Sequence, residues 1–352
     1  MLRLVWEFLR RMSPHRRGKM TKVIVSFFLL IIMGAVGYKH FEGAVNPDLT
    51  WGDSIWWSIV TMTTVGYGDY YPTTVYGRYL VAMPVMFIGI GILGYLLSVL
   101  ATSFIELRSK ELKGMSELTL ESHVLLVHFQ SQDRNLEIIK ELTEDVKTKN
   151  LPIVLIDEHL EELPHDFLRY NIRFVRGNPS KASVLNRACV YKASYAIVLA
   201  NDINDTNADA HTLAAALTIE ALNPSIFTVA ECLDPERVEL MRRSGCDSVV
   251  CMARLSSSFM VQEVSDPGTQ ALVNELTTNR FGQQVYIAPI ERMKSWKFSE
   301  LQSFLDVKGF LVMGLRRGEE TRLNPGRSYE VQKDDLVICI GPTRPDPIRI
   351  SS

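Results

Sequence analysis

The chain has 352 residues, 47% of them hydrophobic and 22% charged, with a formal net charge of −2. That length is enough for two or three domains, and so even a balance excludes the whole-chain attraction that a nucleic-acid partner needs. The five cysteines (Cys189, Cys232, Cys246, Cys251 and Cys339) fall at irregular spacing in the second half. This pattern suits reduced thiols in a cytosolic compartment rather than disulfides or a zinc site.

The average hides a split, because the first hundred residues are apolar and aromatic while the rest alternates like an ordinary α/β protein. Residues 1–19 form a basic N-terminus in which Arg3, Arg10, Arg11, Arg16, Arg17 and Lys19 are opposed only by Glu7. Its opening stretch, LRLVWEFLRRM, is weakly amphipathic and is predicted to lie on the inner membrane surface, with membrane lipid as its partner. No small-residue cleavage site follows, so it does not read as a signal peptide.

Residues 20–105 are predicted to form a membrane domain. Segments 20–38, with only Lys22 charged, and 79–105, with no charge, are each long enough for a helix across a bilayer core of about 20 residues. The loop between them carries Lys39 and Arg78 against Glu42, Asp48, Asp53 and Asp69. The basic residues therefore place both termini in the cytosol and the chain in the cell membrane as a multi-pass protein.

Between the spans lies TWGDSIWWSIVTMTTVGYGDYYPT. A short helix is predicted from Asp53 to Thr63, with Asp53 as its N-cap and Trp56 and Trp57 as anchors. It is too short to cross, so it re-enters and turns back, which is tolerated only where backbone is buried in protein or lines an aqueous path. Gly66 and Gly68 supply backbone angles that residues with a Cβ resist, letting successive carbonyls point the same way. Thr64, Val65, Gly66 and Tyr67 then offer carbonyl oxygens to a bare cation, and the Thr64 hydroxyl adds one more ring.

WWSIVTMTTVGYGD resembles the pore loop of potassium channels, in the form with two spans per subunit. The resemblance implies K+ as permeant ion, Thr64, Val65, Gly66, Tyr67 and Gly68 as selectivity filter, and four chains around one pore. Trp56, Trp57 and Asp69 become the filter's support. Val60 stands where some relatives have glutamate, so Asp69 is expected to hydrogen-bond to Trp57 instead. The second span holds Pro84, Gly89, Gly91 and Gly94, which suit either close helix packing or a hinge. FIGIG resembles the gating-hinge segment of ligand-gated channels of this type, which implies a gate at Gly89 and Gly91, with Gly89 as pivot and Leu97 in a hydrophobic constriction.

Residues 106–116 read as a charged linker. Beyond it, apolar runs (HVLLVHF, LPIVLIDE, IRFVRG, SYAIVLAN, SIFTVAE, CDSVVCM) alternate with helical stretches, which predicts buried parallel strands in a Rossmann-like sheet. Asp157 ends the second strand, where an acid often takes ribose hydroxyls. The turn after the first strand, His128, Phe129, Gln130 and Ser131, lacks the glycines that admit a pyrophosphate.

The series of runs resembles the RCK domain, the regulator of potassium conductance, over roughly residues 117–345. It implies a larger lobe with pairing helices at 117–266, a small α+β lobe at 267–345 and a tail at 346–352. The fold class is then an α-helical membrane pore of two spans plus a re-entrant pore helix, followed by a cytosolic α/β RCK domain with a small C-terminal lobe. Ligand residues implied by the resemblance are His128, Phe129, Gln130, Ser131, Asp157, Gly177 and Asn178 for NAD or an adenine nucleotide. For calcium they are Asp202, Asp205 and Glu231. Asn178 stands at an often acidic position, and Leu233 replaces a second acid, leaving a calcium site short of its six to eight oxygens.

NDINDTNADAH also reads as a helix start, capped by Asp205 or Thr206 and carrying Asp209 and His211 in its first turn. His123, His159 and His165 read as surface ends of elements. The expected function is a ligand-gated, potassium-selective channel rather than an enzyme. It is expected to be a homotetramer pairing through RLSSSFMVQEV; the family's ring of eight RCK domains then needs either extra copies, for which Met115 offers a start, or a different ring. The alternative is a membrane-anchored nucleotide-sensing accessory subunit of a potassium transporter. A tethered oxidoreductase is disfavoured by the missing glycine turn.

Overall fold

The structure is a computed structural model that describes residues 14–292 and 296–349. The chain divides into two compact units, Met1–Glu111 and Leu112–Ser352. The amphipathic opening stretch and the end of the tail lie outside the described residues.

The first unit contains α1 (Pro14–Glu42), α2 (Trp51–Met62), a π-helical turn (Gly77–Ala82) and α3 (Met83–Leu112). Two stretches, Met20–Glu42 and Gly77–Leu112, are long and apolar enough to cross a membrane, with mean hydropathies of 2.2 and 2.3. The second runs further than residue 105, so most of the expected linker, 106–112, is helix. Glu106, Arg108 and Lys110 continue α3 instead of breaking it, because all three residue types favour helix. α2 packs on α1 along Ser54, Trp57, Ser58 and Met62, a spacing of three and four that puts these side chains on one face. Ser58 donates to the Ile31 carbonyl (3.0 Å), and Trp57 stacks on Tyr38 with ring centroids 4.2 Å apart.

The second unit opens on a six-stranded parallel sheet of order β3-β2-β1-β4-β5-β6. Its strands are β1 (His123–Val127), β2 (Ile153–Asp157), β3 (Ile172–Arg176), β4 (Ala193–Val198), β5 (Phe227–Cys232) and β6 (Ser248–Cys251). Every residue of β1 and β2 is buried, as uninterrupted apolar runs require. The helices α4 (Gln132–Glu144), α5 (Ala182–Arg187), α6 (Ala208–Leu222) and α7 (Val238–Arg243) cross between strands. Strand order reverses between β1 and β4, so the carboxyl ends of the strands there form the usual ligand crevice.

Helices α8 (Met252–Ser265) and α9 (Thr269–Thr277) have no buried residues. They lead to a five-stranded sheet in which β7 (Gln284–Arg292), β8 (Leu311–Arg317), β9 (Glu320–Leu323), β10 (Leu336–Gly341) and β11 (Ile348–Arg349) run in the order β9-β8-β10-β7-β11. The helix Phe298–Asp306 closes this core with Phe298, Leu301 and Leu305. His123 is a correction to its expected surface position. It starts a buried strand and its Nε2 bonds the Ala188 carbonyl at 2.9 Å.

Candidate functional site

The pore loop is built outward from α2. The N-cap is Thr50, not Asp53: the Thr50 hydroxyl accepts from the Asp53 amide, and the Asp53 carboxylate accepts from the Thr50 amide (2.9 Å). This capping box starts the helix two residues earlier than expected. At the other end the chain folds back on the helix's last carbonyls. The amides of Val65 and Gly66 both donate to the Val60 carbonyl (3.0 and 3.3 Å), and that of Thr64 donates to Thr61 (3.1 Å).

Thr64, Gly66 and Gly68 all have positive φ, at 63°, 57° and 79°. Left-handed residues at every second position turn alternate peptide units over, which is how successive carbonyls of an extended strand come to face one way. Thr64 carries this conformation without glycine's freedom. No atom approaches the place of a Cβ on Gly66 or Gly68, so glycine is required there by backbone angle, not by space.

The support of the loop departs from the sequence expectation in one pairing. Asp69 accepts from Trp56 Nε1 at 2.8 Å, while Trp57 is turned into the packing against α1. Adjacent helical residues point about 100° apart, so only one of the two tryptophans can face the strand. Trp56 also stacks on Tyr67, with ring centroids 5.8 Å apart and planes 6° off parallel. Residues 64–69 are exposed in the single chain.

A carboxylate that sequence reasoning missed ties the spans together near this loop. Buried Glu42 accepts from the amides of Thr73 and Thr74 (2.9 and 3.0 Å) and from both threonine hydroxyls (2.6 Å each). Gly77 lies so close to Glu42 that a Cβ would collide with its carboxylate. In α3, Gly89 lacks a Cβ where Met62 Cγ stands 2.8 Å from the Cβ position, so close packing occupies that glycine. The helix runs unbroken through Gly89 and Gly91; Gly91 meets no atom at its Cβ position, and Leu97 is exposed.

In the second unit the crevice residues assemble around the turn after β1. His128 has φ 73°, is buried and is pushed down by that burial to a pKa of about 4. The amides that follow are already engaged. Phe129 donates to Asp157 Oδ2 (2.9 Å), and Gln130 and Ser131 donate to Asn135 Oδ1 (3.1 and 3.4 Å). Asp157 Oδ1 accepts from His159 and Leu160 (2.8 and 2.7 Å). A dinucleotide pyrophosphate in the usual pose needs free amides at this turn. To gain them, it would have to displace Asn135 and Asp157.

Gly177, with φ 148°, donates to the Asp157 carbonyl (2.8 Å), and Asn178 Oδ1 caps Ser180 (2.9 Å). Across the crevice Glu231 pairs with Arg134 (2.5 Å) and accepts from Ala200 (3.0 Å). Asp202 and Asp205 close local turns on Asn204 and Asn207 (2.9 Å each), and buried Asp209 accepts from the amides of Leu233 and Asp234 (2.8 and 2.9 Å). The structure therefore does not bring Asp202, Asp205 and Glu231 together. Among the described residues no cluster of three His, Cys, Asp or Glu is placed to hold a metal. The N-cap of α6 is Asn207, one residue past the expected Thr206, and it makes no side-chain cap bond. Glu42, Arg134 and Asn135 were missed because each acts on residues four or more positions away, with no local motif to mark it.

Residues 25–106 match the family model described as ion channel, and residues 119–230 that of the calcium-activated potassium channel slowpoke-like RCK domain. The chain is 26% identical to the calcium-gated potassium channel TvoK of Thermoplasma volcanium over 331 residues, covering 91% of each chain. It is also 26% identical to the putative potassium channel protein YugO of Bacillus subtilis, covering 90% of this chain and 94% of that one. Among solved structures, the GsuK channel bound to NAD aligns with a TM-score of 0.47 at 19% identity, over 92% of this chain and 58% of that one. In order along its length, the chain is thus similar to an ion-channel pore segment followed by the RCK domain of potassium channels.

Proposed function

We propose that four copies of this chain surround one potassium-selective pore in the cell membrane, with both termini on the cytosolic side. The filter is the run Thr64, Val65, Gly66, Tyr67 and Gly68, and small ligands bound to the RCK domains open or close it. The observation that carries the reading is the alternation of positive φ at Thr64, Gly66 and Gly68 in a strand whose amides bond back to α2. A strand so folded has its carbonyls left for a cation, and one strand supplies only a quarter of a coordination cage.

Bending of α3 around Gly89 and Gly91 is the proposed gate, with Leu97 in the constriction. The Gly89–Met62 contact would carry that movement to the foot of the filter. The ligand acts by binding two arrangements of the RCK assembly with different affinity. We place it at the crevice of His128 to Ser131, Gly177, Asn178 and Glu231, with calcium, NAD and adenine nucleotides as the classes to test. Four pore chains supply four RCK domains; a product begun at Met115 would complete a ring of eight, and a second, lighter band in a denaturing gel tests it.

Thallium influx into liposomes holding only the purified protein tests the function. Influx that calcium chloride, NAD or ADP changes severalfold, and that vanishes in Gly66→Ala, supports it. Tight liposomes with the protein assembled in them contradict it.

A further inference from the structure

The chain does not run free after α3. The Leu112 carbonyl accepts the Leu163 amide (3.0 Å), and the Gly114 carbonyl accepts the Arg176 amide (2.9 Å). Arg176 is the last residue of β3, and the crevice residues Gly177 and Asn178 follow it directly. Arg187, the last residue of α5, reaches both partners: Nη1 donates to the Gly114 carbonyl (3.1 Å) and Nη2 to the Arg176 carbonyl.

Both glycines are fixed by this junction. Gly114 has φ 63°, and a Cβ there would run into the Arg176 amide nitrogen and come within 2.8 Å of the Phe174 ring. Gly177 faces Val184 at 2.7 Å and Arg187 Nη2 at 3.3 Å from its Cβ position. The end of the linker, the end of β3, the ligand turn and α5 are thus held as one block by a planar guanidinium. Its fork spans two carbonyls, which a single ammonium does not reproduce.

We propose that Arg187 is the positioning residue of gating: it clamps the linker at Gly114 to the turn that carries Gly177 and Asn178, so that a displacement of the turn becomes a displacement of the linker. This rests on the pore-gating reading above. Sequence supplied no hint of it, since the two clamped carbonyls lie 73 and 11 residues from the arginine.

Hydrogen–deuterium exchange on the full-length protein reads the clamp without any current. In Arg187→Gln, exchange in 112–118 and 174–178 rises together by about tenfold, while β1 and β2 keep theirs. Bilayer recording of the same preparation reads gating. Open probability without added ligand shifts by about threefold or more, with unit conductance and potassium selectivity unchanged. Arg187→Lys falls between. Gly114→Ala breaks the junction from the linker side and gives the same pair of changes, so the test survives if Arg187→Gln fails to fold. Faster exchange with unaltered open probability makes Arg187 merely structural and overturns the proposal, as does unaltered exchange. A wild-type protein that passes no potassium at all contradicts the pore reading, and the gating role falls with it.

Discussion

The pore loop and the RCK crevice place their chemistry in opposite ways. In the loop, the oxygens proposed for the cation belong to four consecutive backbone carbonyls, Thr64 to Tyr67, and the conformation that aims them is written in the same stretch: positive φ at Thr64, Gly66 and Gly68. In the crevice, the groups come from the ends of β1, β2, β3 and β5. What decides their availability is whether a distant side chain has already claimed them, as Asn135 claims Gln130 and Ser131 and Arg134 claims Glu231. A site made of contiguous backbone is resolved by its motif. A site made of converging strand ends is resolved only by its hydrogen bonds.

The sharpest way to break the contrast is Gly66→Ala. An alanine meets no steric obstacle in the single chain but cannot hold φ 57° without strain. Potassium-selective flux should fall by about a hundredfold or more while assembly on a sizing column persists. A variant that assembles and still excludes sodium would sink the filter assignment.

Glu42→Ala is next. It leaves two amides and two hydroxyls without their shared acceptor, and thermal unfolding in detergent should report a loss of about 4 kcal/mol. Glu42→Gln, which accepts through one oxygen only, should lose about half of that.

In the RCK unit the test is pH. His128 titrates near 4 when folded and near 6.5 when unfolded, so the unfolded chain binds the extra proton between those values. Stability is therefore complete above about pH 6.5 and declines as pH falls towards 4, by about 3 kcal/mol in total. Denaturant unfolding followed across that window should lose this slope in His128→Asn, since asparagine tolerates the left-handed backbone at 128. A slope that persists assigns the proton to another group.

The smallest effect is that of Trp56→Phe. It keeps a ring against Tyr67 but removes the bond to Asp69, so channel open lifetimes should shorten a few fold with selectivity intact. The same substitution at Trp57 should leave lifetimes alone and lower stability through the lost contact with Tyr38. Equal effects at both positions would deny the assignment of Trp56.

Much of this was legible beforehand. The two long apolar helices, the short helix between them, the left-handed glycines of the loop that follows it and the parallel sheet all follow from apolar runs and one glycine pattern. The choice between Trp56 and Trp57 was also within reach. Ser54, Trp57 and Ser58 recur at three and four residues, which commits Trp57 to the buried face. His123 followed from the same logic, standing at the head of a fully buried run. Glu42, Asn135 and Arg187 were not legible, because their partners lie 31 to 32, 4 to 7 and 11 to 73 residues away and nothing local marks them.

The most direct test of the central claim is the reversal potential of purified protein in a planar bilayer, with potassium on one side and sodium on the other. The account predicts a shift towards the potassium equilibrium potential by 60 mV or more, which corresponds to about tenfold selectivity or better. A reversal potential near zero, from channels that pass both ions alike, would contradict it.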